Sequence, residues 1–409
     1  MVEYRPIPDD REVFHEYRSY AFRPEEGLQA YDPDEHDTPR ALLGARRGIF
    51  ADDGDDRPRC VCRHYWLEAR VRGADHPTGG VASVATPPEY RRQGHVGRLL
   101  EGSLAEYRER GVRFAVLWPF DYAFYRQFGW ETANRLATSE CAPEVFAFAR
   151  EHADHDDGRF RRLAADEYTE LEAVYECHRD RYALAFGRDE RWWRRRVFGG
   201  HDVDPFVYAY ERDGEVRGYL VYEIDDETAD ETRRGRTMTV SELVYADRET
   251  SLALLSFVAD HDSQVERVRL EVPPSFPLLE TVPTPDRVET SLEIGAMVRV
   301  VDVAETLSAL SYPNVDASVT IAVDDPLADW NQGAYELTVD DGVGTCERLG
   351  DETDADVTLE VGSLSQLIVG YRSASDLERT DELMAADDRT LETLEELFPE
   401  TDVYLGEHF

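Results

Sequence analysis

The order helix, hairpin, strand, helix, strand occurs twice in this chain of 409 residues, and a repeat on that scale constrains the fold more than composition does. In the first round, residues 9–21 place Val13, Phe14, Tyr17 and Tyr20 at helical spacing, and strands are predicted over 41–50, 59–71 and 80–85. A helix follows with Val96, Leu99, Leu100, Leu104 and Tyr107 on its apolar face; Gly111 stops it, and a strand is predicted over 112–118. In the second round, helices are predicted over 165–182 and 188–198, with a hairpin over 205–210 and 215–224. A strand over 238–245, a helix over 251–262 and a strand over 265–272 complete it. The polar run REHADHDDG, 150–158, reads as the linker between the rounds, and its His152 and His155 as solvated rather than metal-binding. After residue 297 the pattern changes to strands over 317–323, 334–339 and 355–361, then helices over 363–370 and 390–397. The last residues, FPETDVYLGEHF, are too apolar for a frayed end and predict a docked tail. The expected class is α+β, in domains spanning 1–148, 149–296 and 297–409.

Charge narrows the function. The chain has 45 basic and 86 acidic side chains, a net charge of −41, and every cation is arginine. Such a surface repels nucleic acid and anionic lipid, so no nucleic-acid or membrane partner is expected. Missing lysine and surplus acid suit a salt-loaded cytoplasm, so a halophilic, cytoplasmic origin is expected. Five cysteines, odd in number and scattered, give no disulfide framework, and Cys60, Cys62 and His64 have the wrong spacing for zinc. No metal is expected, and Cys60–Cys62 reads as a strand showing one face. The basic-aromatic run Arg191–Arg196 reads as interdomain ion pairs and apolar cover.

The segment VASVATPPEYRRQGHVGRLL carries the chemistry. A strand leads into a turn with Arg91, Arg92, Gln93 and Gly94, and a helix begins near His95, Val96 and Gly97. Free N–H groups at a helix start bind phosphate, glycine lets the backbone approach, and arginine adds charge. The second round has ADRETSLALL at the matching place, without glycine, which marks a degenerate copy. A second motif, Tyr125-x-x-Phe128-Gly129-Trp130, follows the buried strand over 112–118.

Arg91-Arg92-Gln93-Gly94-His95-Val96 resembles the pyrophosphate-binding motif of the GNAT superfamily of N-acetyltransferases, Q/R-x-x-G-x-G/A, with Val96 departing from the small last residue. The bulkier residue and the Y-x-x-F-G-[WY] motif are similar to the Eis-like branch. That resemblance implies two tandem GNAT folds, only the first binding acetyl-CoA, then a sterol-carrier-type domain, to whose strand-turn residues 325–342 are similar. It also implies Tyr125 as the general acid, the α-carboxylate of Phe409 as the general base, and Val84 and Ala85 beside the pantetheine. The expected acceptor is a primary amine (aminoglycoside, polyamine or lysine-like), and the expected assembly a hexamer. The alternative is a non-catalytic lipid- or peptide-binding protein with a GNAT scaffold.

Overall fold

The computed structural model describes all residues except 1, 8–10, 28, 52–55, 153–157, 201–202, 227–234 and 351–353. His155 thus lies outside the described residues, and the linker reading can be followed only at its flanks, the short helix Ala149–His152 and the strand Gly158–Arg162. Three sheets organise the chain. The first runs in spatial order Val2–Pro6, Ala45–Ala51, Pro58–Val71, Ala74–Ala85, Phe114–Leu117, Met297–Val300 and Glu131–Thr132. The second is Glu289–Ile294, Arg135–Cys141, Arg267–Val272, Arg236–Tyr245, Glu215–Asp226, Phe206–Arg212 and Gly158–Arg162. The third, near the chain end, is Val343–Arg348, Gly333–Asp340, Ala317–Asp324, Val357–Glu360 and Leu383–Ala385.

The first two sheets exchange strands. Arg135–Cys141 leaves the first sheet to pair with Arg267–Val272, and Met297–Val300 returns to pair with Phe114–Leu117. Each exchange buries apolar residues that the donor sheet could not cover, among them Met297, Val298 and Val300.

The predicted strand over 80–85 is the end of a longer one, Ala74–Ala85, which also takes in Pro77 and Gly79. A β-carbon on Gly79 would come within 2.4 Å of the Tyr107 ring, so that glycine serves a close helix-to-strand approach. The helix over 188–198 instead forms as a short turn, Glu190–Trp192, continued by the wider π-type turn Trp193–Val197. Cys60, Val61, Cys62 and His64 are all buried, so both faces of this stretch are covered, contrary to the one-faced reading; the strand reaches solvent farther on, at Trp66 and Glu68. Helices on both of its sides need apolar contact.

Below the Phe128-Gly129-Trp130 turn, Arg299 joins the domains. Its guanidinium is fully buried and pairs with Asp325 at 2.5 Å, donates to the Phe128 carbonyl and lies 5.2 Å from the Trp130 ring. Asp325 opens the DPLADWNQG segment and also accepts from Leu327 N, Ala328 N and Asn331 Nδ2 at 2.9–3.0 Å.

Candidate functional site

Two strands open the cleft. Ala74–Ala85 pairs in parallel with Phe114–Leu117 only as far as Val81 opposite Leu117. Its other neighbour slips register between Val61 and Arg63, and Ser83 takes a positive φ of 52°. This bulge turns the strand end away, so residues 82–85 keep a free edge toward the cleft. Among the described residues that edge has no strand partner. An extended amide-bearing chain can add there as a strand would.

The strand then leads to the turn. Gly94 caps the helix His95–Glu109 at φ 75°, in the left-handed region, and Arg92 is also left-handed at φ 58°. A β-carbon on Gly94 would meet nothing within 4 Å, so its role is conformational. Arg91, Arg92, Gln93 and Gly94 are exposed, and neither arginine pairs with a carboxylate among the described residues. Arg91 donates instead to the Thr86 carbonyl at 3.1 Å, and its guanidinium lies over the Tyr20 ring. The free N–H groups of His95, Val96 and Gly97 thus start a 15-residue helix beside two unpaired cations. The Val96 and Val84 side chains pack onto the core of the first sheet, so the bulk of Val96 is turned away from the turn's backbone. These residues fit a diphosphate.

Tyr125 sits on the short helix Tyr122–Arg126, which Asp121 caps by accepting from Phe124 N at 3.1 Å. Its ring packs against Phe120 and Phe124, and its hydroxyl has no hydrogen-bond partner among the described residues. Burial pushes the phenol well up, aided by Cys60 and Cys62. Apolar walls without a cation disfavour the phenolate.

The tail is docked. Ala183 N donates to the Asp402 carbonyl at 2.8 Å and Tyr404 N to the Ala183 carbonyl at 3.0 Å. Asn134 clamps Leu405 through both its amide atoms, at 2.8 and 3.1 Å. Trp118 donates to the Glu407 carbonyl at 3.0 Å and stacks on His408 at 3.7 Å. The Phe409 ring then lies 5.2 Å from Tyr65 and 5.9 Å from Phe186. A β-carbon on Gly80 would approach Phe409 to 2.8 Å, so the tail touches the strand just before its free edge. Tyr125, Phe409, Trp118 and residues 81–84 line one cavity of about 810 Å³.

Ala85 is buried beside this wall, and Arg91–Gly97 lie along the turn that follows it. Sequence reasoning missed Trp118 and Asn134, which steer the tail, and Arg18, Arg40, Arg63 and Arg196, which line the cavity. Arg196 covers the Trp192 ring at 5.1 Å, and its neighbour Arg194 pairs within the run, with Glu190 at 3.0 Å. Among the described residues no cluster of three or more metal-ligating side chains occurs.

The second copy has the same splay, with Arg236–Tyr245 and Arg267–Val272 parting beyond Val240 and Leu270. There the cleft is filled. Arg188, 4% exposed, pairs with Glu242 at 2.8 Å and with the tail's Glu407 at 2.9 Å, and Tyr175 donates to Glu407 at 2.7 Å. At the helix start, Asp247 accepts from Thr250 N and pairs with Arg212 and Arg217. A carboxylate therefore holds the place a phosphate would take.

Known proteins agree with this layout. Residues 3–133 and 184–300 each match an acetyltransferase (GNAT) domain, and residues 303–406 match a sterol carrier protein domain. An uncharacterized N-acetyltransferase of Streptomyces avermitilis is 28% identical over 335 residues, 78% of each chain. The N-acetyltransferase Eis of Mycobacterium tuberculosis is 26% identical over 340 residues, 79% of this chain and 78% of its own. Among solved structures, a GCN5-related N-acetyltransferase from Anabaena variabilis superposes with a TM-score of 0.86 at 19% identity. Eis1 from Mycobacterium abscessus gives 0.78 at 23%, and both superpositions cover 100% of each chain. A splayed strand pair, a phosphate-ready turn and a second copy closed by its own residues all meet in one description: the chain is a GNAT-family N-acetyltransferase with a C-terminal sterol-carrier-type domain, and acetyl-CoA is its co-substrate.

Proposed function

We propose that this enzyme acetylates a primary amine by direct attack on the acetyl thioester, with Tyr125 as general acid and the α-carboxylate of Phe409 as general base. One observation carries the reading: Tyr125, Phe409 and the free strand edge at residues 82–84 line the same cavity. Arg91, Arg92, Gln93 and the backbone of Gly94–Gly97 hold the diphosphate, while Val84 and Ala85 lie along the pantetheine. Acetyl-CoA supplies the activated acetyl group.

An amine of pKa about 10.4 arrives as the ammonium and first gives one proton to solvent, which leaves a neutral nitrogen able to attack. The amine nitrogen bonds to the carbonyl carbon, its proton passes to the Phe409 carboxylate, and the carbon–sulfur bond breaks. The departing sulfur takes the Tyr125 proton, and solvent returns one proton to the phenol as the carboxylate gives one up. A backbone N–H at the end of the strand Ala74–Ala85 receives the carbonyl oxygen's developing charge. Because burial raises the Tyr125 phenol, it stays protonated through the neutral range, and its proton moves as the bond breaks rather than beforehand.

Aminoglycoside, polyamine and lysine-like amines are the acceptor classes that the resemblance implies. The non-catalytic alternative is disfavoured by the open, unpaired turn at Arg91–Gly94, which a scaffold has no use for. A cytoplasmic, salt-rich setting is supported by the net charge of −41 and the lack of lysine. Association into a hexamer is supported by the outer strand Glu289–Ile294, exposed along its whole length with Leu292 63% and Ile294 45% exposed. No helix among the described residues is long and apolar enough to cross a membrane.

Thiol release from acetyl-CoA in molar KCl, over a panel of amines, tests the mechanism. Tyr125→Phe and removal of Phe409 should each lower kcat roughly 100-fold or more while acetyl-CoA still binds. Unchanged kcat in both variants sinks the assignment of acid and base.

A further inference from the structure

The cavity that holds Tyr125 and Phe409 departs from the acidity of the rest of the molecule: five arginines line it against four Asp or Glu side chains and the Phe409 α-carboxylate. Arg18, Arg40, Arg63 and Arg196 line it, drawn from the helix Arg11–Phe22, the loop before Ala45, the strand Pro58–Val71 and the turn Trp193–Val197. In a chain with 86 acidic and 45 basic side chains, carboxylates are available to arginines almost everywhere. Yet Arg18, Arg40 and Arg63 have no carboxylate within 4 Å among the described residues. Arg63 is 5% exposed, its Nε atom has no partner, and one terminal nitrogen donates to the Tyr65 hydroxyl at 3.3 Å. Among the described residues Arg40 reaches only the His408 carbonyl, at 3.4 Å.

Burial, and then the neighbouring guanidiniums, pull Arg18 down to about 10. The wall's carboxylates do not offset this. Glu26 pairs with Arg23 at 3.6 Å, Glu35 and Asp225 are exposed, Glu223 is half-buried, and the Phe409 α-carboxylate shares the cavity without coming within 4 Å of Arg18, Arg40 or Arg63. Cations taken out of water without a counter-charge are costly, and a bound anion relieves that cost.

We propose that the acetyl acceptor carries its own anion, a carboxylate or a phosphate, which seats on Arg18, Arg40 and Arg63 and points the amine at Tyr125. Polyamines and aminoglycosides are then poor acceptors, because each added ammonium meets guanidinium. The negative exterior belongs to the solvent, and the arginines of the inner wall belong to the substrate. This inference rests on the acetyl-transfer reading, and its test separates the two.

Matched pairs in molar KCl isolate the anion: 5-aminopentanoate against 5-aminopentanol for a carboxylate, and glucosamine 6-phosphate against glucosamine for a phosphate. Spermidine and kanamycin are the cationic controls. Thiol release gives turnover, and calorimetry gives binding independently of it. At least one anionic member should exceed its neutral partner about tenfold in kcat/KM. Arg18→Gln should raise the acceptor KM about tenfold and leave the acetyl-CoA KM unchanged; Arg18 is half-buried, so this variant is the safer companion to Arg63→Gln. Preference for spermidine or kanamycin, with no anion effect, overturns the proposal while acetyl transfer stands. An effect of Arg18→Gln on acetyl-CoA alone also overturns it, by assigning the arginines to coenzyme phosphate. Binding of an anionic amine that Arg18→Gln abolishes, without any turnover, keeps the anion seat and overturns acetyl transfer.

Discussion

Glu106 shows how strongly one carboxylate is held beneath the first sheet. Arg47 donates to both its oxygens, at 2.7 and 2.6 Å, and Tyr4 adds a bond of 2.7 Å. Burial raises this carboxyl, but the Arg47 and Tyr4 bonds outweigh burial and hold it down at about 2. Next to it His64 is driven to about 3, chiefly by burial. The unfolded chain binds a proton at His64 below about pH 6.5 and at Glu106 below about 4.3, whereas the folded chain waits until about 3 and about 2. Stability present above those unfolded values is therefore lost progressively as pH falls from 6.5 toward 2. Glu106→Gln should cost about 3 kcal/mol at neutral pH and flatten the part of the slope below about pH 4.5, read from urea unfolding at several pH values. An equally steep slope in the variant would contradict this account.

At the scale of elements, the two copies differ in what occupies a helix start. In the first it is a left-handed glycine with free N–H groups; in the second it is Asp247, which is held well below the usual carboxylate range by Thr250, Arg217 and Arg212 despite its burial. Asp247→Ala should lower stability by about 1–2 kcal/mol through loss of the cap. Calorimetry should still find one acetyl-CoA per chain, because the cleft remains filled by Glu242, Arg188 and Glu407. Two bound equivalents would mean that the aspartate alone closes the second site. Much of this was legible in sequence. The turn at Arg91–Gly94 and the Tyr125 motif are local, so their spacing survives without knowledge of the fold. The second copy was recognisable from its missing glycine, although the carboxylate that replaces a phosphate was not. The cavity's arginines were invisible because they come from four elements far apart in the chain, and only strand pairing brings Arg63 near Arg18.

For the molecule as a whole, the exchanged strands and the tail make one body of the domains. The tail contributes Leu405, fully buried, to the main core and passes from the second copy's cleft into the first copy's cavity. In effect, the duplicated fold binds two ligands: the coenzyme in one cleft, and a peptide of the same chain in the other. The second ligand is tethered, so it acts at an effective concentration on the order of millimolar, and its free affinity need only be modest. A chain ending at Thr401 should therefore lose acetyl transfer yet regain it when a synthetic peptide of residues 402–409 is added in trans, with half-recovery at roughly millimolar peptide. Glu407→Gln in that peptide should weaken recovery, since Arg188 and Tyr175 grip that carboxylate. If the peptide fails at every concentration while the shortened chain stays folded by circular dichroism, the groove is a packing surface and not a binding site. If the peptide restores transfer, the degenerate copy has exchanged a soluble ligand for a covalently attached one, and with it a dissociation constant for a tether length.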